Sequence, residues 1–324
     1  MSLRRLLALA LTPVVLLVVG LLAYFAFTWP YSPSLTARAS KPYSPPPPRP
    51  SLVPPYDGKE PFELKIQGMT GLKMYLDPKD RVITPTILVL GNWEATETTW
   101  FLRAVKPGDT FVDAGANVGY YTIIGSRLVG DKGKVYAFEP EPTSFALLQK
   151  NVHLNGLTNV VLEQKALSNR KGILKLFIAD QNKGDHRIYQ PEGESRPWVD
   201  VEAVRLDEYF KDHKRGIDVL KVDTQGAEGL ILEGMTGLLE SRTDGPTIFM
   251  EFWPHGLKGL GTEAGALLKK LQSYNYKFYD IHPKDRKGLP LVEPADLLAA
   301  HPVDDAQSQA DLLALRGGRE PPKD

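Results

Sequence analysis

Cysteine is absent from the 324 residues. Disulfides, thiolate catalysis and zinc–thiolate sites are therefore excluded, although the absence fits any redox compartment. A surplus of positive charge is also lacking, because 39 basic residues balance 39 acidic ones and the formal net charge is zero. Proteins that bind nucleic acid usually carry a basic excess, so no nucleic-acid partner is expected. The hydrophobic content of 42% is ordinary for a globular protein with a core.

One long stretch without charge lies near the N-terminus. After a short tail at 1–5, the chain reads "LLALALTPVVLLVVGLLAYFAF", and Trp29 follows. As a helix, these about 22 residues span roughly 33 Å, close to the thickness of a bilayer's hydrocarbon core. We therefore expect residues 6–29 to form an uncleaved, single-pass membrane anchor. The alternative is a cleaved signal peptide with "ARA" at 37–39 as its cleavage site, but its apolar region should be only about 7–15 residues long.

A proline-rich segment follows, "KPYSPPPPRPSLVPPYDGKEP". Proline fixes φ and lacks an N–H, so residues 30–61 are predicted to be an extended spacer. Basic residues lie on both sides of the apolar stretch, so the positive-inside rule gives only a slight bias toward a cytoplasmic N-terminus and leaves the side of the remaining chain open. We expect a globular domain at 62–293 and a C-terminal tail with one weakly amphipathic helix at 294–324.

Strand-like and helix-like segments alternate within the expected domain. Parallel strands are predicted at 110–113, 134–138, 159–163, 217–222 and 247–252, with helices at 119–129, 142–155, 226–233 and 262–274. This alternation predicts an α/β fold, with a mostly parallel open sheet and helices on both faces. Two extra antiparallel strands are predicted at 172–178 and 198–204, inserted in the sequence between the third and fourth parallel strands.

The stretch "FVDAGANVGYYT" joins the first parallel strand to a helix. Ligands of open α/β sheets bind at the carboxyl ends of the strands. Asp113 is expected to end this strand, and Gly115 and Gly119 would let a ligand approach the backbone. Glu139 is expected to end the second strand, where a carboxylate accepts hydrogen bonds from ribose hydroxyls. These residues predict a nucleoside site, while the plainer alternative makes Asp113 a helix cap and Glu139 a solvated acid.

The charge of the ligand separates two kinds of nucleoside. A dinucleotide places its pyrophosphate at the helix N-terminus, where Asp113 would repel it, and the third glycine of G-x-G-x-x-G is missing. S-adenosylmethionine carries an ammonium, a sulfonium and a ribose diol but no phosphate, so two carboxylates suit it. We therefore interpret the motif as a site for S-adenosylmethionine. The alternatives are a nicotinamide-dependent oxidoreductase and a membrane-tethered binding domain that no longer catalyses.

Four segments in this order resemble the FkbM-type methyltransferase family over roughly residues 94–280: "FVDAGANVGYYT", "VYAFEPEPTSFALLQKNVHLNG", "QKALSN" and "IDVLKVDTQGAEGLILEGM". Within the last of them, "LKVDTQGAE" is similar to the family pattern LKIDxEGxE, except that Gln225 stands where the family often has Glu. The resemblance implies a class I methyltransferase Rossmann-like fold. It also implies an S-adenosylmethionine-dependent transferase, most often acting on a hydroxyl of a sugar, polyketide or similar metabolite.

The resemblance carries over to individual cofactor-binding residues. It implies that Glu139 holds the ribose, that Pro140 shapes the turn after it, and that Asp223 lies directly beside the methyl group. The remaining residues are Asp113, Gly115, Asn117 and Gly119 around the methionine moiety, and Lys165 and Ala166 with the loop against the adenine.

Methyl transfer to a hydroxyl requires that donor and acceptor are aligned and that the acceptor loses its proton. Asp223 is the first candidate for the base, and Glu251 at the end of the fifth parallel strand and His255 are the others. Asp223 and Glu251 together are a weak signal for a divalent cation, so no metal site is predicted. The expected partners are a small-molecule or glycan acceptor and a membrane, and the sequence does not indicate an oligomeric state.

Several neighbours are expected to shape the site. Glu228 is predicted to hold the Asp223 loop or to pair with a cation. Trp253 and Pro254 are predicted to wall the acceptor pocket. The long polar insert at 170–204 contains His186 and Arg187, which are candidates for contact with a carboxylate or phosphate of the acceptor.

Overall fold

The structure is a computed structural model that describes residues 53–213, 215–241, 244–282 and 288–322. The predicted anchor and most of the predicted spacer lie outside these residues. Across the described ranges, no helix is both long and apolar enough to cross a bilayer. The end of the expected spacer contacts the domain, because the hydroxyl of Tyr56 accepts a hydrogen bond from the N–H of Leu76 over 3.0 Å. The spacer therefore ends earlier than residue 61.

Thirteen strands are found in the described part of the chain. They are β1 (Phe62–Glu63), β2 (Lys73–Met74), β3 (Thr110–Ala114), β4 (Lys134–Phe138), β5 (Val160–Glu163), β6 (Ala166–Leu167), β7 (Gly172–Phe177), β8 (Trp198–Val204), β9 (Val219–Val222), β10 (Thr247–Phe252), β11 (Tyr276–Asp280), β12 (Leu291–Val292) and β13 (Ala310–Arg316).

Eight of these strands form one sheet in the order β12-β11-β13-β10-β9-β3-β4-β5. The five strands from β10 to β5 in this order are mutually parallel. Strand β13 runs antiparallel to both of its neighbours, β10 and β11. The predicted α/β fold with a mostly parallel open sheet is therefore confirmed.

Helices cover both faces of this sheet. They span Ile83–Leu90, Ala95–Ala104, Tyr120–Val129, Pro142–Leu154, Leu206–Tyr209, Glu228–Glu233, Thr236–Ser241, Pro254–Gly259, Ala264–Ser273 and Pro294–Ala300. Side chains alternate between the faces along each strand. Phe111 therefore belongs to the core that includes the first four helices, and Val112 to the core that includes the other six. Strand β3 is buried along its whole length, as expected for a central parallel strand that is covered on both sides.

A smaller sheet lies after the third parallel strand, in the order β6-β8-β7. The predicted antiparallel pair is confirmed as β7 with β8, and β6 pairs parallel to β8. The chain then forms a long loop, and Phe177 exchanges two backbone hydrogen bonds with Arg187, of 2.7 and 3.1 Å. The insert therefore folds back on the end of β7.

The five parallel strands and their crossover helices match the sequence prediction, but the end of the domain was placed wrongly. The segment after residue 293 is more than a tail with one helix, because β13 lies inside the sheet and Ala314 pairs with both Ile248 and Phe278. Strand β11 was also missed. Short apolar runs such as "LLAL" in β13 cannot be told from helix by periodicity alone.

Candidate active site

A cleft opens at the carboxyl ends of β3, β4 and β9, beneath the insert that follows β7. Parallel strands bring their carboxyl ends to one edge of the sheet, which is why residues distant in sequence meet there. Seven of the predicted cofactor-binding residues line it, namely Gly115, Asn117, Glu139, Pro140, Lys165, Ala166 and Asp223.

All backbone N–H groups of the turn at 115–119 donate hydrogen bonds to acceptors within the protein. Those of residues 115 and 116 share the carbonyl oxygen of Phe138, each over 3.0 Å. The N–H of Asn117 donates to Oε2 of Glu139 over 2.8 Å, and those of residues 118 and 119 donate within the turn. Asn117 adopts a left-handed φ of 51°, which asparagine tolerates better than most residues. No N–H of this turn remains for a phosphate.

Asp113 does not line the cleft. Its side chain is only 2% exposed, and its Oδ2 accepts a hydrogen bond from the Thr122 hydroxyl over 2.6 Å. Burial raises the pKa of Asp113 to about 6. The strand continues to Ala114, so Asp113 lies inside β3. Its side chain faces the following helix and not the carboxyl edge of the sheet where the cleft opens. The role of Asp113 in cofactor binding stays a prediction, and in this structure its carboxylate contacts Thr122 and not the cleft.

The second glycine of the motif has a packing role. A Cβ atom on Gly119 would lie 2.6 Å from Cδ1 of Leu148, and its φ of 94° is in the left-handed region. Gly119 is not part of the cleft lining. Its lack of a side chain instead lets the helices Tyr120–Val129 and Pro142–Leu154 approach each other.

Glu139 is held by two backbone donors. Its Oε1 accepts from the N–H of Glu141 and its Oε2 from that of Asn117, both over 2.8 Å. The side chain is 5% exposed, and burial raises its pKa to about 7 even though both N–H groups lower it. Each carboxylate oxygen keeps a second lone pair, so Glu139 has acceptor capacity left for a hydroxyl group that enters the cleft.

Asp223 is the acid most accessible from the cleft, with 29% of its side chain exposed. Its Oδ2 lies 3.4 Å from Nζ of Lys221, and its Oδ1 accepts from Nε2 of Gln225 over 3.1 Å. The same amide donates to Glu251 over 3.0 and 3.1 Å. Gln225, whose φ is 54°, therefore separates two carboxylates that would otherwise repel each other.

The Asp223 loop is held from behind by Glu228, as the sequence predicted. Oε1 of Glu228 accepts from the N–H and the hydroxyl of Thr224, over 2.9 and 3.0 Å. Glu228 is fully buried, and burial raises its pKa to about 7. The loop is therefore fixed to the start of the following helix.

Lys221 lies at the centre of a charged cluster that sequence reasoning missed. Its Nζ lies 3.3 Å from Oε1 of Glu97 and 4.5 Å from the ring centre of Tyr121. Burial lowers the pKa of Lys221, but the carboxylates of Glu97, Asp223 and Glu94 outweigh it and leave the pKa well above its usual value. A lysine inside a buried strand, two positions before Asp223, was a visible signal. Glu97 is too far away in the sequence to be linked to it.

Two more members of this region were missed together with β13. Asp311 stands opposite Glu251 in the pairing of β10 with β13. Its Oδ2 lies 3.1 Å from Nε2 of His282, and this contact raises the pKa of the histidine. Only the position of β13 would have connected Asp311 to the site.

Glu251 and His255, the other candidate bases, do not line the cleft. Glu251 is 5% exposed, and burial and the neighbouring Asp223 raise its pKa well above the usual value. Nδ1 of His255 lies 3.1 Å from the carbonyl oxygen of Val303. Among the described residues, no group of three or more histidine, aspartate or glutamate side chains is arranged to hold a metal ion.

Trp253 and Pro254 are both buried. The indole N–H of Trp253 donates to the carbonyl oxygen of Ala306 over 3.0 Å, and the guanidinium of Arg187 stacks 4.6 Å from its ring centre. Arg187 also pairs with Asp185 over 2.6 Å. Neither Trp253 nor Pro254 lines this cleft, and their role as a wall of the acceptor pocket stays a prediction.

The insert forms the cover of the cleft. Lys183, Gly184, His186 and Ile188 contribute to the lining. Asn117 donates from Nδ2 to the carbonyl oxygen of Lys183 over 2.9 Å, so the glycine turn and the insert are directly joined. At the opposite side, Nζ of Lys165 is neutralised by Glu163 at 2.7 Å.

Comparison with known proteins identifies the same region. The model of the methyltransferase FkbM domain matches residues 113–278, just over half of the chain. Methyltransferase sdnD of Sordaria araneosa is 32% identical over 161 residues, which cover 40% of this chain and 61% of that protein. Methyltransferase 1 of Beauveria bassiana is 28% identical over 149 residues, or 40% of this chain and 59% of that protein.

A third relative is the hexuronic acid methyltransferase AglP of Haloferax volcanii, 29% identical over 142 residues that cover 43% of this chain and 55% of that protein. The chain thus spans about three fifths or less of the length of these curated relatives. The family match covers the glycine turn, Glu139, the Asp223 loop and the parallel sheet that positions them. The chain belongs to the FkbM methyltransferase family, with a class I methyltransferase Rossmann-like fold.

Proposed function

We propose that this protein is an S-adenosylmethionine-dependent methyltransferase that acts on a hydroxyl of a sugar, glycolipid or related metabolite. The observation that carries the proposal is the glycine turn beside Glu139. The buried Glu139 has lone pairs left for hydroxyl donors in the cleft, while the turn has no free N–H for a phosphate. That pairing suits a phosphate-free nucleoside.

The residues of the cleft fit this cofactor. Glu139 would hold the ribose diol, and the turn from Gly115 to Asn117 would lie against the sugar and methionine carbons. Asp223 would face the sulfonium and its methyl group, which S-adenosylhomocysteine lacks. When bound, S-adenosylmethionine supplies an electrophilic methyl group on a sulfonium. Asp223 is the only one of the three candidate bases that lines the cleft.

Asp223 is placed to take the proton of an acceptor hydroxyl. Lys221 and Gln225 each donate to one of its oxygens, which fixes the direction of the remaining lone pairs. Glu251 acts through Gln225 as a positioning residue. General base catalysis by a positioned carboxylate contributes about 10²- to 10⁴-fold to a rate.

A sugar-type acceptor is supported by one relative that is named a hexuronic acid methyltransferase. The proposed anchor at 6–29 and the spacer after it would hold the domain near a membrane, which favours a glycolipid or a glycan under assembly. A reporter fused to the C-terminus, tested for protease access in sealed vesicles, decides which side the domain faces. A protein that stays in the supernatant when the vesicles are sedimented would argue against membrane attachment.

Two rival functions are separated by binding and turnover. A nicotinamide oxidoreductase requires N–H donors for a pyrophosphate, and the turn at 115–119 offers none. Equilibrium binding of labelled S-adenosylmethionine and of NAD to the purified protein tests this directly, and binding of NAD alone would overturn the proposal. Transfer of labelled methyl groups into fractionated membranes and cytosol then identifies the acceptor class. Cofactor binding without transfer to any hydroxyl compound would favour a binding domain that no longer catalyses.

A further inference from the structure

His186 lies in the cover of the cleft, a part of the chain to which no cofactor role has been given above. Its side chain contributes to the lining together with Leu167, Leu176 and Ile188, which form an apolar wall. The loop that carries it is fixed at both ends. Phe177 exchanges two backbone hydrogen bonds with Arg187, directly after the histidine.

Further contacts hold the loop from the other side. Asn117 donates to the carbonyl oxygen of Lys183 over 2.9 Å. The carboxylate of Asp185 pairs with Arg196 at 2.7 Å. The ring of His186 is therefore held in place by its neighbours before any ligand binds.

The proton of the imidazole has a defined position. The backbone N–H of Ala179 donates to Nδ1 of His186 over 3.0 Å. A neutral imidazole that accepts at Nδ1 carries its proton on Nε2. Burial lowers the pKa of His186 to about 4, although the carboxylate of Glu141 raises it. At neutral pH the side chain is thus an uncharged donor through Nε2, with no charge to offer a carboxylate or phosphate of an acceptor.

That donor lacks a partner. Nε2 of His186 is buried, and no atom of the described residues is in hydrogen-bonding position to it. A buried donor without a partner costs more free energy than a hydrogen bond usually returns, so such atoms are rare unless a ligand completes them. The missing group must be an acceptor, must be reachable from the cleft and must tolerate an apolar wall.

We propose that the Nε2–H of His186 donates a hydrogen bond to a ring nitrogen of the adenine of the bound cofactor. The inference rests on the proposed function. The ribose hydroxyls are assigned to Glu139 in the proposed function, whereas N1, N3 and N7 of the adenine ring each offer a lone pair and still need a donor. A flat base fits between the apolar side chains Leu167, Leu176 and Ile188, and an uncharged imidazole meets it without a buried charge.

The first test uses the native protein and removes the acceptor from the ligand. Calorimetry compares S-adenosylhomocysteine with its 1-deaza, 3-deaza and 7-deaza analogues, in each of which one ring nitrogen is replaced by C–H. One analogue is expected to bind about three- to ten-fold more weakly, the loss of a single neutral hydrogen bond. Equal affinity for all four ligands would overturn the inference while leaving the proposed function intact. If the native protein binds none of the four ligands, both the inference and the proposed function are overturned.

The second test removes the donor. His186→Phe keeps a flat ring but has no N–H, and His153→Phe makes the same change on an exposed histidine. His186→Phe is expected to lose about three- to ten-fold affinity for S-adenosylhomocysteine and nothing for the analogue that the native protein already binds weakly. His153→Phe should match the native protein for all four ligands. If His186→Phe loses the same affinity for all four ligands, the histidine has only a packing role. If it loses affinity for none of them, the hydrogen bond is excluded.

Discussion

Gly115 and Asp223 meet so closely that a Cβ atom on the glycine would lie 2.1 Å from the carbonyl oxygen of the aspartate. This oxygen belongs to the backbone, so it cannot move away from an added Cβ atom as the end of a flexible side chain could. The first and fourth parallel strands thus bring the glycine turn and the proposed base into contact. The cleft depends on this approach as much as on any single charged residue.

The first prediction concerns that contact. Gly115→Ala should lower the free energy of unfolding by about 3 kcal/mol, because it adds both a steric clash and a left-handed alanine. It should also weaken binding of S-adenosylhomocysteine at least about ten-fold, since the Asp223 loop must move. Gly156→Ala is the matched control, with a φ of 61° and no atom within 4 Å of the added carbon. It should cost only about 1 kcal/mol and leave the affinity unchanged. Denaturant titration and calorimetry measure both, and equal losses for the two variants would contradict the role of the contact.

The second prediction concerns the pH dependence of cofactor binding. Burial raises the pKa of Glu139 to about 7, and a ribose hydroxyl that donates to it favours the ionised form and lowers that pKa again. Affinity for S-adenosylhomocysteine should therefore rise about ten-fold between pH 6 and pH 8, because about one tenth of the free carboxyl is ionised at the lower pH. Glu139→Gln should bind more weakly and show a flat profile. A native affinity that falls over this range would exclude the contact.

Raised carboxyl pKa values also make the free energy of unfolding depend on pH. For Glu97, Glu139 and Glu228, each with a pKa raised to about 7, the folded protein binds more protons than the unfolded chain between about pH 4.5 and 7. Their contribution to stability is thus present at low pH and is lost as the pH rises through this window. Glu139→Gln should remove its share of the slope in denaturant titrations.

The third prediction assigns the base. Asp223→Asn should lower kcat about 100-fold or more and change affinity for S-adenosylhomocysteine only about two-fold, because the amide keeps the shape but cannot take the proton. His255→Ala should leave both values near those of the native protein, since its ring contacts Val303 and not the cleft. Single-turnover kinetics and calorimetry separate the two effects. The reverse ranking of these variants would make the histidine the base.

The fourth prediction tests why an amide stands at Gln225. Gln225→Glu would place a third carboxyl between Asp223 and Glu251. When protonated, the new side chain can still donate one hydrogen bond, whereas its ionised form can only repel. The melting temperature should therefore fall more at pH 8 than at pH 6. An equal fall at both values would show that charge is not the reason for the amide.

The sequence predicted the parallel strands because buried strands between amphipathic helices leave a clear pattern. It also placed Glu139 correctly, since β4 ends just before it. The predicted end of the first parallel strand at Asp113 is one residue too early, because β3 continues to Ala114. A dinucleotide is disfavoured because the N–H groups of the turn at 115–119 are all in use and cannot bind a pyrophosphate.

Other parts of the site leave little trace in one sequence. Glu97 meets Lys221 only through the packing of a helix against the sheet. His186 was predicted as a candidate for contact with the acceptor, but its tautomer depends on one backbone N–H that no sequence pattern reveals. Such contacts follow from tertiary structure, which propensity and spacing do not contain.

The position of β13 has a consequence for how the molecule is made. This strand lies between β10 and β11, both of which precede it in the chain. Synthesis proceeds from the N-terminus, so β10 and β11 are complete before Ala310–Arg316 leaves the ribosome. Until then their edges are unpaired, or they pair with each other and must separate before β13 can insert. A chain stopped shortly before that point would expose two apolar strand edges at once and would be a target for chaperones or for aggregation.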